Sequence, residues 1–449
     1  MRTLSPYGAG WRWIRSLIVV CGLYLPALAQ RGMSLQELLD TLEAYFDRAQ
    51  LADLRTQLPL GAPYEIWSWD VGDFSGDRYP DLALTVLIPQ ERQRRTHFYA
   101  FVDQDGFLLN VAQFPVPYLG TPLEVGVAIG DTLCTVSQKL RHGVWKIRRY
   151  RYWQGNFTLW EERTLQTLGG QSSEQGRNYA TLEQWYRLFR PDGSFEKERR
   201  SIVLPAYPRR HRVVGTYTID ATCATVDYVP RGAYYWNGPE DASFQIRAAY
   251  DERFLYLALW VTDDELITGR CDTCAADMVR LWFATVQSSA PSPPKRSRKS
   301  APSTTLSWSH SSISLRLGNF AEQAPQLTFH SQQWQELAHS GLWRQTKALV
   351  IRRPIGYAVK LRIPLALLQV PPDSVGTSVV ALRFTAEVID VDNEFRPEEV
   401  SIVCTSSDFR PEDPNTYGDL LLLPAGQWYG ESRNVLAEAL LNELLLLGF

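Results

Sequence analysis

The chain has 449 residues, of which 45% are apolar and 12% aromatic, and carries a formal charge of −3. That composition excludes a disordered chain, and the absence of a basic excess excludes an electrostatic nucleic-acid binder. The length fits two or three domains, each able to bury a core.

Residues 1–29 carry Arg2, Arg12 and Arg15, then the apolar run "SLIVVCGLYLPALA", then the small-residue site Ala27-Leu28-Ala29 before Gln30. This is the pattern of a secretory signal peptide. The run is short of the ~20 residues a membrane span needs and contains Pro26, so the mature chain is expected to have no transmembrane anchor. Its destination is outside the cytoplasm: secreted, periplasmic or at the cell surface. Removing three arginines and no acid takes the formal charge from −3 to about −6. The mature chain keeps Cys134, Cys223, Cys271, Cys274 and Cys404, an odd number in a compartment that permits disulfides.

Residues 30–60 place Leu35, Leu38, Leu39, Leu42 and Phe46 at helical spacing behind the N-cap residue Ser34, which predicts one amphipathic helix. From 61 to 165 the pattern changes to short β-type runs such as "DLALTVLI" and "THFYAFVD" between turn residues, the mark of an antiparallel sheet domain. Residues 166–212, with "LGGQSSEQGRN" and "LPAYPRRH", read as a connecting region. Strand-like runs return over 213–424, interrupted by the Pro/Ser-rich basic loop 288–305. The tail 425–449 contains "NVLAEALLNELLLLGF", a Leu-rich helix whose apolar surface should dock on a neighbour or on a protein partner. The expected fold is mainly β: a C-terminal antiparallel, jelly-roll-like sandwich preceded by a smaller antiparallel β domain, with short terminal helices.

Two acidic stretches invite a functional reading. In "GDFSGDRYPDLAL", Asp73, Ser75, Asp77 and Asp81 fall at relative positions 1, 3, 5 and 9, with Tyr79 able to offer a carbonyl at position 7. That spacing can fold oxygen ligands around a hard cation. The stretch resembles the calcium loops of FG-GAP and VCBS repeats over about a dozen residues, with Ser75 and Arg78 departing from the pattern. The second stretch is "IRAAYDERFLYLALWVTDDE", a hairpin whose second strand runs into three acids.

From "YTIDA" through "AYDERFLYLALWVTDDE", "DMVRLWF", "GYAVKLRIP" and "VIDVDN" to "YGDLLLLP", the chain resembles the family 9 carbohydrate-binding modules and their DOMON-like relatives. The resemblance implies a structural calcium site and nominates Asp263, Asp264 and Asp277 as its ligands. It also implies a sugar held between two tryptophans, and here the chain departs. Cys274 stands in place of one tryptophan, Phe409 is the nearest counterpart of the other, and Arg280 replaces a glutamate, while Arg316 matches a sugar-contacting arginine. Other aromatic residues in or near loops, Trp236, Trp308, Trp334 and Trp343, could serve instead. Cys271 and Cys274 form a CxxC that can close a small disulfide or, with Cys223 and Cys404, take zinc.

The leading expectation is therefore an exported, non-catalytic, calcium-stabilised protein that binds a polysaccharide or cell-surface glycan. A protein-interaction scaffold without sugar binding is the alternative. A haem b protein using Met278 and Lys360 is a third, because some DOMON-like sandwiches hold haem. An accessory enzyme is the fourth, but about 180 residues outside the sandwich are too few for a barrel of ~250, and no nucleophile elbow or HExxH motif occurs.

Overall fold

The structure is a computed structural model, and it describes residues 32–58, 64–89, 94–116, 124–153, 155–209, 221–268, 275–287, 307–318, 320, 323–330, 341–396, 398–427 and 429. The expected signal peptide, Cys271 and Cys274, the 288–305 loop, Trp334 and most of the Leu-rich tail lie outside them. The chain divides into two compact units: residues up to 177 with 187–196, and residues 178–186 with 197–429.

In the first unit the single predicted helix is two, α1 (Leu35–Leu42) and α2 (Arg48–Gln57). Ser34 caps α1 in a capping box with Glu37. The break comes from a second box: Asp47 accepts the Ala49 and Gln50 amides, and Gln50 accepts the Asp47 amide in return. A local side chain thus restarts the helix in a new direction. Four antiparallel strands follow, β1 (Glu65–Gly72), β2 (Asp81–Pro89), β3 (Arg94–Gln104) and β4 (Phe107–Val116). Leu82, Leu84, Val86, Tyr99 and Phe101 pack one face of this sheet against Leu38, Leu42, Leu51 and Leu54 of the helices. A meander continues as β5 (Val125–Gly130), β6 (Leu133–Arg141), β7 (Val144–Trp153) and β8 (Asn156–Leu168). Phe98 and Phe114 meet Tyr150 and Phe157 of the meander at centroid distances of 5.3–6.2 Å.

The predicted connecting region is instead strand: β9 (Gln171–Asn178), β10 (Glu183–Phe189) and β11 (Phe195–Pro208). Its polar and Gly-rich composition concealed a continuous buried run from Ser201 to Ala206 in β11.

The second unit is a sandwich of two sheets. The first is built from β12 (Ala221–Cys223), β13 (Ala242–Tyr250) and β14 (Phe254–Asp263). The second takes β15 (Met278–Gln287), β16 (Ser307–Arg316) and β17 (Gln326–His330). The chain then returns to the first sheet with β18 (Lys347–Arg352) and β19 (Tyr357–Pro364), and to the second with β20 (Val380–Val391), β21 (Val400–Cys404) and β22 (Gly418–Leu422). The orders are β18-β19-β14-β13-β12 and β17-β16-β15-β20, with β22 and β21 sharing the far edge of β20. The sandwich departs from the all-antiparallel expectation in one respect, because β11 pairs in parallel with both β13 and β22.

The core lies between the sheets. Leu255, Leu257, Leu259 and Val261 of β14 face it at alternate positions, as do Tyr357, Val359, Leu361 and Ile363 of β19. From the other sheet come Val279, Leu281 and Phe283 of β15 and Leu382, Phe384, Ala386 and Val388 of β20. Every second residue of these strands consequently points away from the core, and that outward set on the second sheet is where a ligand can reach rigid side chains.

Candidate functional site

The period-2 pattern places acids inside the sandwich at one end. Asp263 continues the core-facing series of β14, Asp390 that of β20, and Asp277 precedes Val279 by two on the way into β15. All three are buried, and one carboxylate oxygen from each lies within 4.8 Å of the others. Asp390 also belongs to a second such group with Asp241 and Asp392.

Loops fix these acids in place. Asp277 accepts the Ile267 amide at 2.6 Å and the Val391 amide at 3.0 Å, tying two segments to one side chain. Asp390 accepts the Ser401 hydroxyl at 3.0 Å, and Asp241 the Asn237 amide at 2.8 Å. Gly356 lets the chain cross this corner: its φ is +72°, and a Cβ there would sit 2.3 Å from the Val261 carbonyl oxygen and 3.0 Å from the Asp263 amide nitrogen.

Neither oxygen of Asp263, a residue only 4% exposed, closes a hydrogen bond, and the Tyr357 hydroxyl beside it is also unpaired. The Asp277 carboxyl, and less so the Glu265 amide, draw the pKa of Asp263 back toward the ordinary range. Burial first, and then the neighbouring carboxylates, raise the pKa values of Asp263 and Asp277; the same causes push that of Asp390 to about 8 and that of Asp392 to about 6. Buried acids so close cannot all ionise without a counter-charge, and an oxygen-only donor set with an orphaned carboxylate suits a hard divalent cation. The residues present therefore fit calcium, through Asp263, Asp277 and Asp390 with Asp241 and Asp392 adjoining.

Of the three acids nominated by resemblance, Asp264 is exposed and stands outside the group. Asp390, Asp241 and Asp392 were missed. Asp390 was legible in "VALRFTAEVID", because it occupies the core-facing register of Leu382, Phe384, Ala386 and Val388.

The other acidic stretch is built differently. Asp73 accepts the Gly76 and Arg78 amides and the Ser75 hydroxyl, and Asp77 accepts the Tyr79 amide. Asp81, fully buried, accepts the Phe74, Ser75 and Asp103 amides, while burial raises its pKa to about 6. Among the described residues, Asp73, Asp77 and Asp81 do not form a group close enough to share a cation. Their spacing is that of a loop closed by its own amides, with Tyr79 exposed at the tip.

On the second sheet, Arg280, Trp282, Ser312 and His330 of the outward face, with Ser311 of the core-facing register opposite Phe283, line a cleft of about 270 Å³. Strand register puts them together: Trp282 is opposite Ser312, Ser312 opposite His330, and Arg280 opposite Ser314 and Glu387. Trp282 donates its indole N–H to Glu387 at 2.5 Å, and Glu387 is 2% exposed, so the ring is locked from beneath. Burial raises the pKa of Glu387, offset in part by Trp282 and Arg280.

The ligand residues expected from the sequence separate here. Arg280 lines the cleft, and Arg316 lies farther along β16, opposite Met278. Phe409 is 3% exposed, enclosed by Trp282 at 5.6 Å and Tyr417 at 5.1 Å, so its ring faces are spent on packing and it is no open sugar platform. Trp236 is half-buried against the core and donates to the Ala242 carbonyl at 2.7 Å, serving the turn that carries Asp241. Trp308 sits in β16 opposite Val286. Trp343 packs edge-on against Phe329 at 4.3 Å. Trp282, Ser312 and His330 were not anticipated; the outward register shared by Arg280 and Trp282 was the available signal.

Met278 lies on the outward face of the second sheet and Lys360 on that of the first, with the core between, so they cannot hold one haem together. Cys134, Cys223 and Cys404 are buried free thiols, raised well above the ordinary range by burial. No helix among the described residues is long and apolar enough to cross a membrane.

No protein-family model matches the chain, and no curated protein matches it. Among solved structures, it is similar to a family 9 carbohydrate-binding module from Caldicellulosiruptor kristjanssonii in complex with glucose, at 16% identity over 46% of this chain and 86% of that one, with a TM-score of 0.28. The same kind of module in complex with cellotriose gives 14% identity over 51% and 98%, also at 0.28. A Bacteroides uniformis protein named for carbohydrate binding gives 12% over 45% and 85%, at 0.27. Scores this low carry no functional argument.

Proposed function

We propose that the chain is an exported, non-catalytic carbohydrate-binding protein whose sandwich is braced by calcium and receives its ligand in the cleft over β15, β16 and β17. The observation that carries this reading is Trp282, a partly buried indole held by Glu387, packed on Phe409 on one side and bordered in the cleft by Arg280, Ser312 and His330. An aromatic ring offers an apolar surface to a pyranose, while hydroxyl, guanidinium and imidazole groups bind its hydroxyls. At about 270 Å³ the cleft is close to the ~300 Å³ lower bound of ligand pockets, which suits a terminal sugar or a single residue of a chain. Calcium, when bound, would supply charge neutralisation at the opposed strand ends. The residues Asp263, Asp277 and Asp390 then set the separation of β14, β15 and β20, so that β15 presents Arg280 and Trp282 in fixed register.

The test is a binding panel of soluble oligosaccharides and insoluble polysaccharides against residues 30–449 with calcium present. Binding to at least one glycan is expected. Trp282→Ala should weaken it roughly tenfold, the loss of about 1.5 kcal/mol of ring contact, with a melting curve confirming a folded variant. A folded protein that binds no glycan would overturn the reading and leave the scaffold alternative.

A further inference from the structure

The cleft's charge points to the class of sugar. Arg280 has a side chain 31% exposed; it touches the Ser314 hydroxyl at 3.3 Å and the Met278 sulfur at 3.8 Å, forms a long ion pair with Glu387 at 3.8 Å, and lies over the Trp282 ring at 5.8 Å from its centroid. Other arginines of this unit do better, with Arg383 2.7 Å from Asp419 and Arg396 2.9 Å from Glu399. A guanidinium carries five donors in a planar fork suited to an oxyanion, and most of those on Arg280 are left to the cleft. Glu387 does not cancel it from the ligand's side, since that carboxylate lies in the floor, 2% exposed, with its Oε2 committed to the Trp282 indole. Among the described residues, the rest of the lining, Trp282, Ser311, Ser312 and His330, contains no acid. In a chain of net negative charge, a cleft that presents an arginine with free donors and no acid among its described lining favours a negative ligand.

Resting on the sugar-binding reading above, we infer that the cleft takes an anionic sugar residue, its carboxylate or sulfate ester paired with Arg280 while its ring lies on Trp282. Uronate and sulfated saccharides share the required oxyanion, and matched ligands separate the two sources.

The experiment is calorimetric titration of the calcium-loaded protein with oligogalacturonate, a sulfated galactan oligosaccharide and a neutral galacto-oligosaccharide of the same length. At least one anionic ligand should bind ten times or more tighter than the neutral one, and Arg280→Gln should bring that ratio to within about threefold of unity. A ratio between ligands is insensitive to partial unfolding of the variant, and Arg280→Lys should restore part of the preference, because charge without the planar fork remains. Equal or tighter binding of the neutral sugar would overturn this inference and leave the carbohydrate reading intact. An anionic preference that survives Arg280→Gln would overturn the assignment to Arg280. Absence of binding to all three ligands and to the wider panel would remove both readings together.

Discussion

In the loop between β1 and β2, Asp81 is fully buried and yet each of its oxygens receives at least one backbone amide. At the end of the sandwich, Asp263 is just as deeply enclosed and neither of its oxygens closes a bond. Both corners are rich in aspartate, and the first has the more persuasive ligand spacing in sequence. The difference teaches that the spacing of acids says little about a cation until their lone pairs are assigned. A carboxylate satisfied by its own loop leaves few lone pairs for a cation, whereas one left unpaired beside two other acids must either stay protonated or take a counter-charge.

The sharpest way to break this comparison is to remove calcium. At a free concentration 1,000 times the Kd, a cation bound only by the folded state adds ~4 kcal/mol. For a unit of this size, about 2–4 °C per kcal/mol converts that to a fall of about 10 °C with chelator. Asp263→Asn should abolish the calcium response, and a chelator-insensitive melting temperature would show that no cation is held. The pH dependence follows the same groups. Asp392 at about 6 and Asp390 at about 8 lie above their ordinary 3.8, so in metal-free protein their contribution is complete below that value and is lost as pH rises through 6 and then 8. Calcium needs the ionised forms, so the gap between calcium-loaded and metal-free melting temperatures should widen from pH 5 to pH 9.

Next in size is Asp81→Ala. It strands the buried amides of Phe74, Ser75 and Asp103 and should cost ~3 kcal/mol in denaturant melts, with the calcium response of the sandwich unchanged. A calcium response lost with Asp81 would mean that the β1–β2 loop is a cation site after all. Smaller and opposite in sign is Arg78→Gly. Arg78 holds φ at +75°, in the left-handed region where a side chain is strained, and glycine should relieve ~1 kcal/mol. Smallest is Asp264→Ala, an exposed acid outside the cluster, expected to shift stability by less than ~0.5 kcal/mol and calcium affinity by less than about threefold.

Much of the architecture was legible along the chain. Alternation in "FLYLALWVTD" defines β14 and its buried face, and the hairpin with "ASFQIRAAY" follows from the turn between them. The break between α1 and α2 could also be read, since Asp47 and Gln50 have the spacing of a capping box. Strand β11 was not legible. Its partners β13 and β22 lie far along the chain, and a parallel pairing leaves no hairpin signature.

By itself the sequence determined the mainly β class, the strand faces and the presence of acids at strand ends, because these depend on neighbours two to four residues apart. It also carried the arginine at position 280. Only the tertiary structure decided which acids converge. Asp263, Asp277 and Asp390 come from β14, the approach to β15, and β20, and no local rule brings them within 4.8 Å. It likewise enclosed Phe409 and set Trp282 open beside Arg280, because exposure belongs to the packed sheet and not to the residue.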